Sequence, residues 1–211
     1  MWLSILFLAP LFYALYQTKF KGPDGSASRT AFVLGLGSYI VSMLVIYIMS
    51  SFFSDETSGK AAFFIFYLFR DFIVPLAFPL VFYTVLLSFE DIYKIRYASS
   101  FLFGVITFHL VVTGLVDPYP FTLWTGLFRP VLYTGFVFIS GFYLKKLIEN
   151  IDVSVKNIVL YTLGMLGVCL CFEAGHFLWY YAWPVWVYII PFVPVFGLGV
   201  FTLYIETREA A

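Results

Sequence analysis

Residues 30–53 read TAFVLGLGSYIVSMLVIYIMSSFF, an uncharged run with apolar side chains on every face of a helix. At about 1.5 Å of rise per residue such a run reaches across roughly 30 Å of hydrocarbon. A barrel strand would be about ten residues long and would alternate apolar with polar positions, which this run does not do. Helices are therefore the expected spanning unit.

Working outward, comparable runs lie at Trp2–Gln17, Thr30–Phe53, Ala61–Phe89, Tyr97–Val116, Phe121–Leu147, Val153–Tyr180 and Trp183–Ile205. The expected fold is all-α: a polytopic membrane bundle of about seven helices forming a single transmembrane domain over residues 1–211. Composition agrees, with 62% hydrophobic and 11% charged residues against about 45–50% and 25% in a soluble domain. The first run lacks a basic n-region and is followed by Lys19 and Lys21, so it reads as an uncleaved span rather than a signal peptide. Short polar connections separate the runs, among them a Gly22-Pro23-Asp24-Gly25 turn, and none is long enough for a separate soluble domain.

Lys19, Lys21, Arg29, Lys94, Arg96, Lys145, Lys146, Lys156 and Arg208 fall on one side of this arrangement and Lys60 alone on the other. Basic residues accumulate in cytoplasmic loops, so the N-terminus is expected outside and the C-terminus inside, in a cell or cytoplasmic membrane. Trp2, Trp124, Trp179, Trp183 and Trp186 are then expected at the outer headgroup level. Twelve basic against twelve acidic side chains offer no basic surface for nucleic acid. Cys169 and Cys171 sit two apart in one helix, on different faces, which disfavours a disulfide between them. Leu68-Phe69-Arg70 recurs as Leu127-Phe128-Arg129, a match that a chain rich in Leu and Phe produces by chance.

Inside the spans, the ionisable residues are Arg70, Asp71, Arg129 and Glu173, together with the only two histidines, His109 and His176. A central charge costs at least about 2.5–3.5 kcal/mol in hydrocarbon, so such residues face the bundle interior and pair. Helical rise puts Arg70, His109, Arg129 and Glu173 about 10–14 Å below the outer surface. Two arginines balance one aspartate and one glutamate, as one shared network requires. Glu173 and His176, three apart, share a helix face. Adjacent Arg70 and Asp71 are expected to diverge, one toward the sixth span and the other toward Arg129. Pro75, Pro79 and Pro130 deprive the carbonyls of Asp71, Pro75 and Gly126 of their usual donors, so kinks are expected there.

These six residues form the expected ligand-binding set. The favoured function is binding or sensing of an anionic amphiphile or small ligand, with Arg70 and Arg129 as planar forks; membrane lipids are the expected surroundings. A second expectation is an enzyme acting on a lipid or isoprenoid, with Glu173, Asp71 or His176 in acid–base roles. A third is haem b held between His109 and His176. The fourth is transport of a small solute: the helix count is similar to that of sugar transporters built from two three-helix repeats, but the seventh span carries nothing like Arg70-Asp71. The two histidines and two carboxylates make a possible ligand set for zinc or iron, but no metal is expected, since the arginines oppose further positive charge unless the substrate is anionic. A network that only fixes helix packing is the competing structural account.

Overall fold

The structure, a computed structural model, describes residues 11, 13–15, 25–53, 59–76, 78–79, 82–83, 98–116, 122–149 and 155–209. Every regular element among these residues is helical and none is a strand. In chain order they are α1 (Gly25–Phe52), α2 (Lys60–Leu68), a π-helical turn (Phe69–Ile73), α3 (Ala98–Val116), a second π turn (Trp124–Phe128), α4 (Arg129–Glu149), α5 (Val155–Tyr180), the single turn α6 (Val185–Tyr188) and α7 (Phe192–Glu209). Ser26–Phe52 and Thr162–Tyr180 are long and apolar enough to cross a membrane, while Ala98–Thr113 and Phe192–Ile205 are apolar and shorter. Of the run at residues 2–17, the described residues 11 and 13–15 are helical; the rest lie outside the described residues, as do most of the connecting loops.

Helices α3 and α4 form the centre. From Ala98 to Ile106 every residue of α3 is buried, and in α4 Leu132, Tyr133, Thr134 and the stretch Phe136–Ser140 are buried. Helix α1 lies along α3, and α7 along α4, while α5 packs against α2, α4, α6 and α7. On α1 the buried residues form one stripe, Ser28, Ala31, Gly35, Tyr39, Ser42 and Ile46, at the three- and four-residue spacing of one helix face. The rest of that helix, including Val33, Ile40, Val41, Leu44 and Ile48, presents apolar side chains outward.

Glycine sets the α1–α3 distance. A Cβ on Gly35 would collide with the carbonyl oxygen of Phe101, and one on Gly104 with that of Phe32. Small residues of this kind let two membrane-type helices bring their backbones together. The Ser28 and Ser100 hydroxyls bond at 2.7 Å across the same interface.

Two features depart from the linear reading. The run Trp183–Ile205 is broken into α6 and α7 by a turn at residues 189–191. Pro191 there has no N–H to continue the helix, while Pro194 is tolerated in the first turn of α7, where backbone donors lack intrahelical acceptors anyway. Trp124 lies in the protein interior rather than on the outer surface of the bundle. It is fully buried, its indole rests where a Cβ on Gly175 would stand, and it packs edge-on to Phe172 and Tyr188. Trp183 and Trp186 are exposed; Trp2 lies outside the described residues. Cys169 and Cys171 are both free.

Candidate functional site

Both arginines sit at a π turn next to a proline. The N–H of Val74 reaches back to the carbonyl of Phe69, and that of Arg129 to the carbonyl of Trp124. Each is a five-residue step. A proline cannot donate in the four-residue ladder, and a π turn absorbs the missing bond by shifting register. Pro75 follows the first π turn and Pro130 the second, so the expected disruptions take this form. Side chains bond to carbonyls beside both turns: Ser42 donates to Val74 at 3.0 Å, and Thr134 donates back to Pro130 at 2.9 Å.

The first π turn carries Arg70 and Asp71 into the interior, where both are almost wholly inaccessible. Arg70 Nε donates to Asp71 Oδ1 at 2.8 Å, and Arg129 Nη2 donates to Asp71 Oδ2 at 2.9 Å. One carboxylate is thus gripped by guanidinium groups from two helical segments. Aromatic faces complete the surroundings, with the Arg70 guanidinium 4.1 Å from the Tyr67 ring centre and that of Arg129 5.9 Å from the Tyr133 ring centre. Such contacts favour a desolvated cation. Arg70 therefore turns to its own neighbour, and Asp71 is the residue that reaches Arg129.

From α5, Glu173 and His176 enter the same space, each with 0% exposure. His176 Nδ1 lies 3.3 Å from Glu173 Oε1 and 3.9 Å from Asp71 Oδ2. Neither Glu173 oxygen accepts a hydrogen bond from any described residue. The His176 ring stacks on Trp179 with centres 5.7 Å apart and meets the Tyr67 edge at 4.9 Å. One donor atom from each of Asp71, Glu173 and His176 lies within 4.8 Å of the others.

His109 belongs to an adjoining chain of hydrogen bonds. Its Nδ1 is 2.8 Å from the Tyr39 hydroxyl and its Nε2 is 2.9 Å from the Tyr133 hydroxyl. Tyr133 in turn makes a long, 3.5 Å donation to the backbone carbonyl of Asp71. With a neutral imidazole, one arrangement satisfies all three contacts: Tyr39 donates to Nδ1, Nε2–H donates to Tyr133, and Tyr133 donates to Asp71. Since both ring nitrogens are used, neither is available to an axial iron, and the residues do not fit haem held between His109 and His176.

The structure brings Arg70, Asp71, Arg129, Glu173 and His176 together and places His109 one tyrosine away. Sequence reasoning missed Tyr39, Tyr67 and Tyr133. Tyr67 is three residues before Arg70 and Tyr133 four after Arg129, spacings that share a helix face; Tyr39 carries no such signal. No known protein family, curated protein or solved structure matches this chain.

Proposed function

We propose that the chain is a seven-span integral membrane protein, N-terminus outside and C-terminus inside, that binds an anionic amphiphile or small anionic ligand at Arg70 and Arg129 in the outer half of the bilayer. The observation that carries the reading is the convergence of two buried guanidinium groups on one carboxylate inside a bundle that turns its apolar side chains outward. Planar guanidinium forks match carboxylate and phosphate oxygens.

The membrane part rests on an inverted distribution of side chains. Val33, Leu44, Phe52, Leu160, Leu163, Val193 and Phe201 are exposed, while Arg70, Asp71, His109, Arg129, Glu173 and His176 are buried. Contiguous apolar faces of this kind are costly in water and ordinary in lipid. Orientation follows from the nine basic residues assigned to one side against Lys60 on the other.

The Glu173–His176 pair favours a second reading, an enzyme that moves a proton on a lipid or isoprenoid held by the arginines. Both readings require the anion. Lipids and metabolites copurifying with the detergent-solubilised chain, profiled by native mass spectrometry, should include an anion that is reduced in Arg70→Lys and Arg129→Lys, because an ammonium keeps the charge but not the fork. A profile unchanged in both variants would overturn the reading.

A further inference from the structure

We infer that Asp71, Glu173 and His176 form a binding site for one divalent metal ion of the zinc class, open on one side to a phosphate-type anion held by Arg70 and Arg129. The anion as fourth ligand rests on the function proposed above; the metal site stands on its own geometry.

Three donors converge there from two helical segments, all with 0% exposure. Zinc bonds to imidazole nitrogen and carboxylate oxygen are about 2.0–2.2 Å, which makes a tetrahedral ligand–ligand edge about 3.3–3.5 Å. His176 Nδ1 and Glu173 Oε1 are 3.3 Å apart, already at that edge. His176 Nδ1 and Asp71 Oδ2, at 3.9 Å, need to close by a few tenths of an ångström, and the Asp71 and Glu173 oxygens, within 4.8 Å of each other, by at most a little over about an ångström to reach that edge. Asp71 Oδ2 holds Arg129 through one hydrogen bond and, as a carboxylate oxygen, has a second lone pair for a metal.

A second observation is independent of that proximity. Glu173 is fully buried, yet neither of its carboxylate oxygens accepts a hydrogen bond from a described residue. Buried carboxylates are ordinarily paired, hydrogen-bonded or metal-bound. Glu173 lies beside an imidazole and a second carboxylate, so a cation among the three satisfies it. His109, with both nitrogens on tyrosines, is excluded from the ligand set.

Charge decides what completes the site. Arg70, Arg129, Asp71 and Glu173 sum to zero, so a divalent ion leaves +2, which a buried site does not hold alone. A phosphomonoester dianion restores neutrality and supplies the oxygen that a three-ligand metal site leaves open. That oxygen comes either from a lipid headgroup or from free phosphate.

The test uses the full chain in detergent, stripped with a chelator and titrated with Zn²⁺ alone, then with Zn²⁺ plus either inorganic phosphate or phosphatidic acid in mixed micelles. One zinc per chain is expected when one of the two anions is present, with affinity lowered at least about tenfold in Glu173→Gln and in His176→Ala. Co²⁺ should give visible absorption bands in the wild-type chain, and Glu173→Asp, which keeps a carboxylate, should recover part of the affinity. A wild-type chain that takes up no stoichiometric zinc overturns the metal site whether or not the variants fold. Zinc affinity equal in folded wild type and Glu173→Gln does the same. Zinc-dependent retention of phosphatidic acid but not phosphate assigns the anion to a lipid headgroup, and the converse assigns it to a free solute. Zinc bound without either anion removes the fourth-ligand claim and leaves the metal, whereas an arginine-dependent anion bound without zinc removes the metal and leaves the proposed function.

Discussion

Asp71 Oδ2 accepts a hydrogen bond from Arg129 Nη2 at 2.9 Å, joining positions 58 residues apart, while the other oxygen of the same carboxylate holds Arg70. This two-sided grip makes the cluster asymmetric. Arg129→Met leaves Asp71 still held by Arg70, whereas Asp71→Asn removes the carboxylate that both guanidinium groups share. Breaking a buried pair typically costs about 3–5 kcal/mol. Asp71→Asn should therefore lower stability in detergent well below Arg129→Met, with Asp71→Asn plus Arg129→Met in between. Equal losses for the two single variants, read from thermal unfolding, would show that water or lipid screens the arginines.

The α1–α3 contact yields a test with an internal control. Gly35→Ala and Gly104→Ala each force a methyl into a facing backbone carbonyl, which only a shift of the helices can relieve. Overpacking of this kind costs about 1–3 kcal/mol. A Cβ on Gly37, two residues along on the same helix, meets nothing within 4 Å. Gly37→Ala should be neutral or gain up to about 1 kcal/mol of helix propensity. A midpoint of thermal unfolding that falls equally in all three would mean that glycine flexibility, not helix approach, is what matters.

Ala182 offers a stabilising change. Its φ is 56°, and it follows α5 where Trp183 N–H reaches the carbonyl of Leu178 and Ala182 N–H that of Trp179. This is the bonding pattern of a Schellman cap, whose left-handed position ordinarily carries glycine. Ala182→Gly removes the steric penalty of the left-handed conformation and should raise stability by up to about 1 kcal/mol. A loss would show that the alanine methyl packs usefully at this corner.

Helical content and the six interior polar residues were legible because both depend on residue type along one strand of sequence. Thr30–Phe53 is uncharged throughout, and charge inside such runs is rare enough to stand out. Pairing was not legible, since helical rise gives depth but no azimuth between helices. That is why Arg70 turned out to bind its own neighbour and His109 to belong to Tyr39 and Tyr133. Sixteen tyrosines hide the three that matter. The prolines marked where the ladder fails, but either a kink or a π turn answers a missing N–H, and neighbouring packing selects between them. The burial of Trp124 was not legible either, because a partner such as Gly175, fifty-one positions away, leaves no local trace.

Topology can be read in cells. A reporter active only outside the cytoplasm should work near Ser58 or Pro118 and fail after Ala211, positions that lie outside the described residues. The expectation rests on the asymmetry of Lys and Arg between the two sides. The reverse pattern would place the Asp71 cluster in the inner leaflet and change which lipids could reach it.

His109 and His176 should part company when each is removed. His109 spans Tyr39 and Tyr133, so its work is to tie α1, α3 and α4 together, and Tyr39→Phe or Tyr133→Phe leaves a buried imidazole nitrogen without its partner. An unsatisfied buried polar group costs about 1–3 kcal/mol, and each tyrosine variant should lose stability on that scale. His109→Gln, which keeps donor and acceptor capacity, should lose less than His109→Ala. Neither change removes a group from the Asp71–Glu173–His176 cluster, so retention of the bound anion should stay within a few-fold of wild type in whatever fraction remains folded. His176→Ala should show the opposite balance, with ligand retention falling further than stability. The purified chain should also lack a Soret band, because His109 has no nitrogen to give to iron. A Soret band lost in both histidine variants would overturn the tyrosine–histidine chain and restore the haem reading.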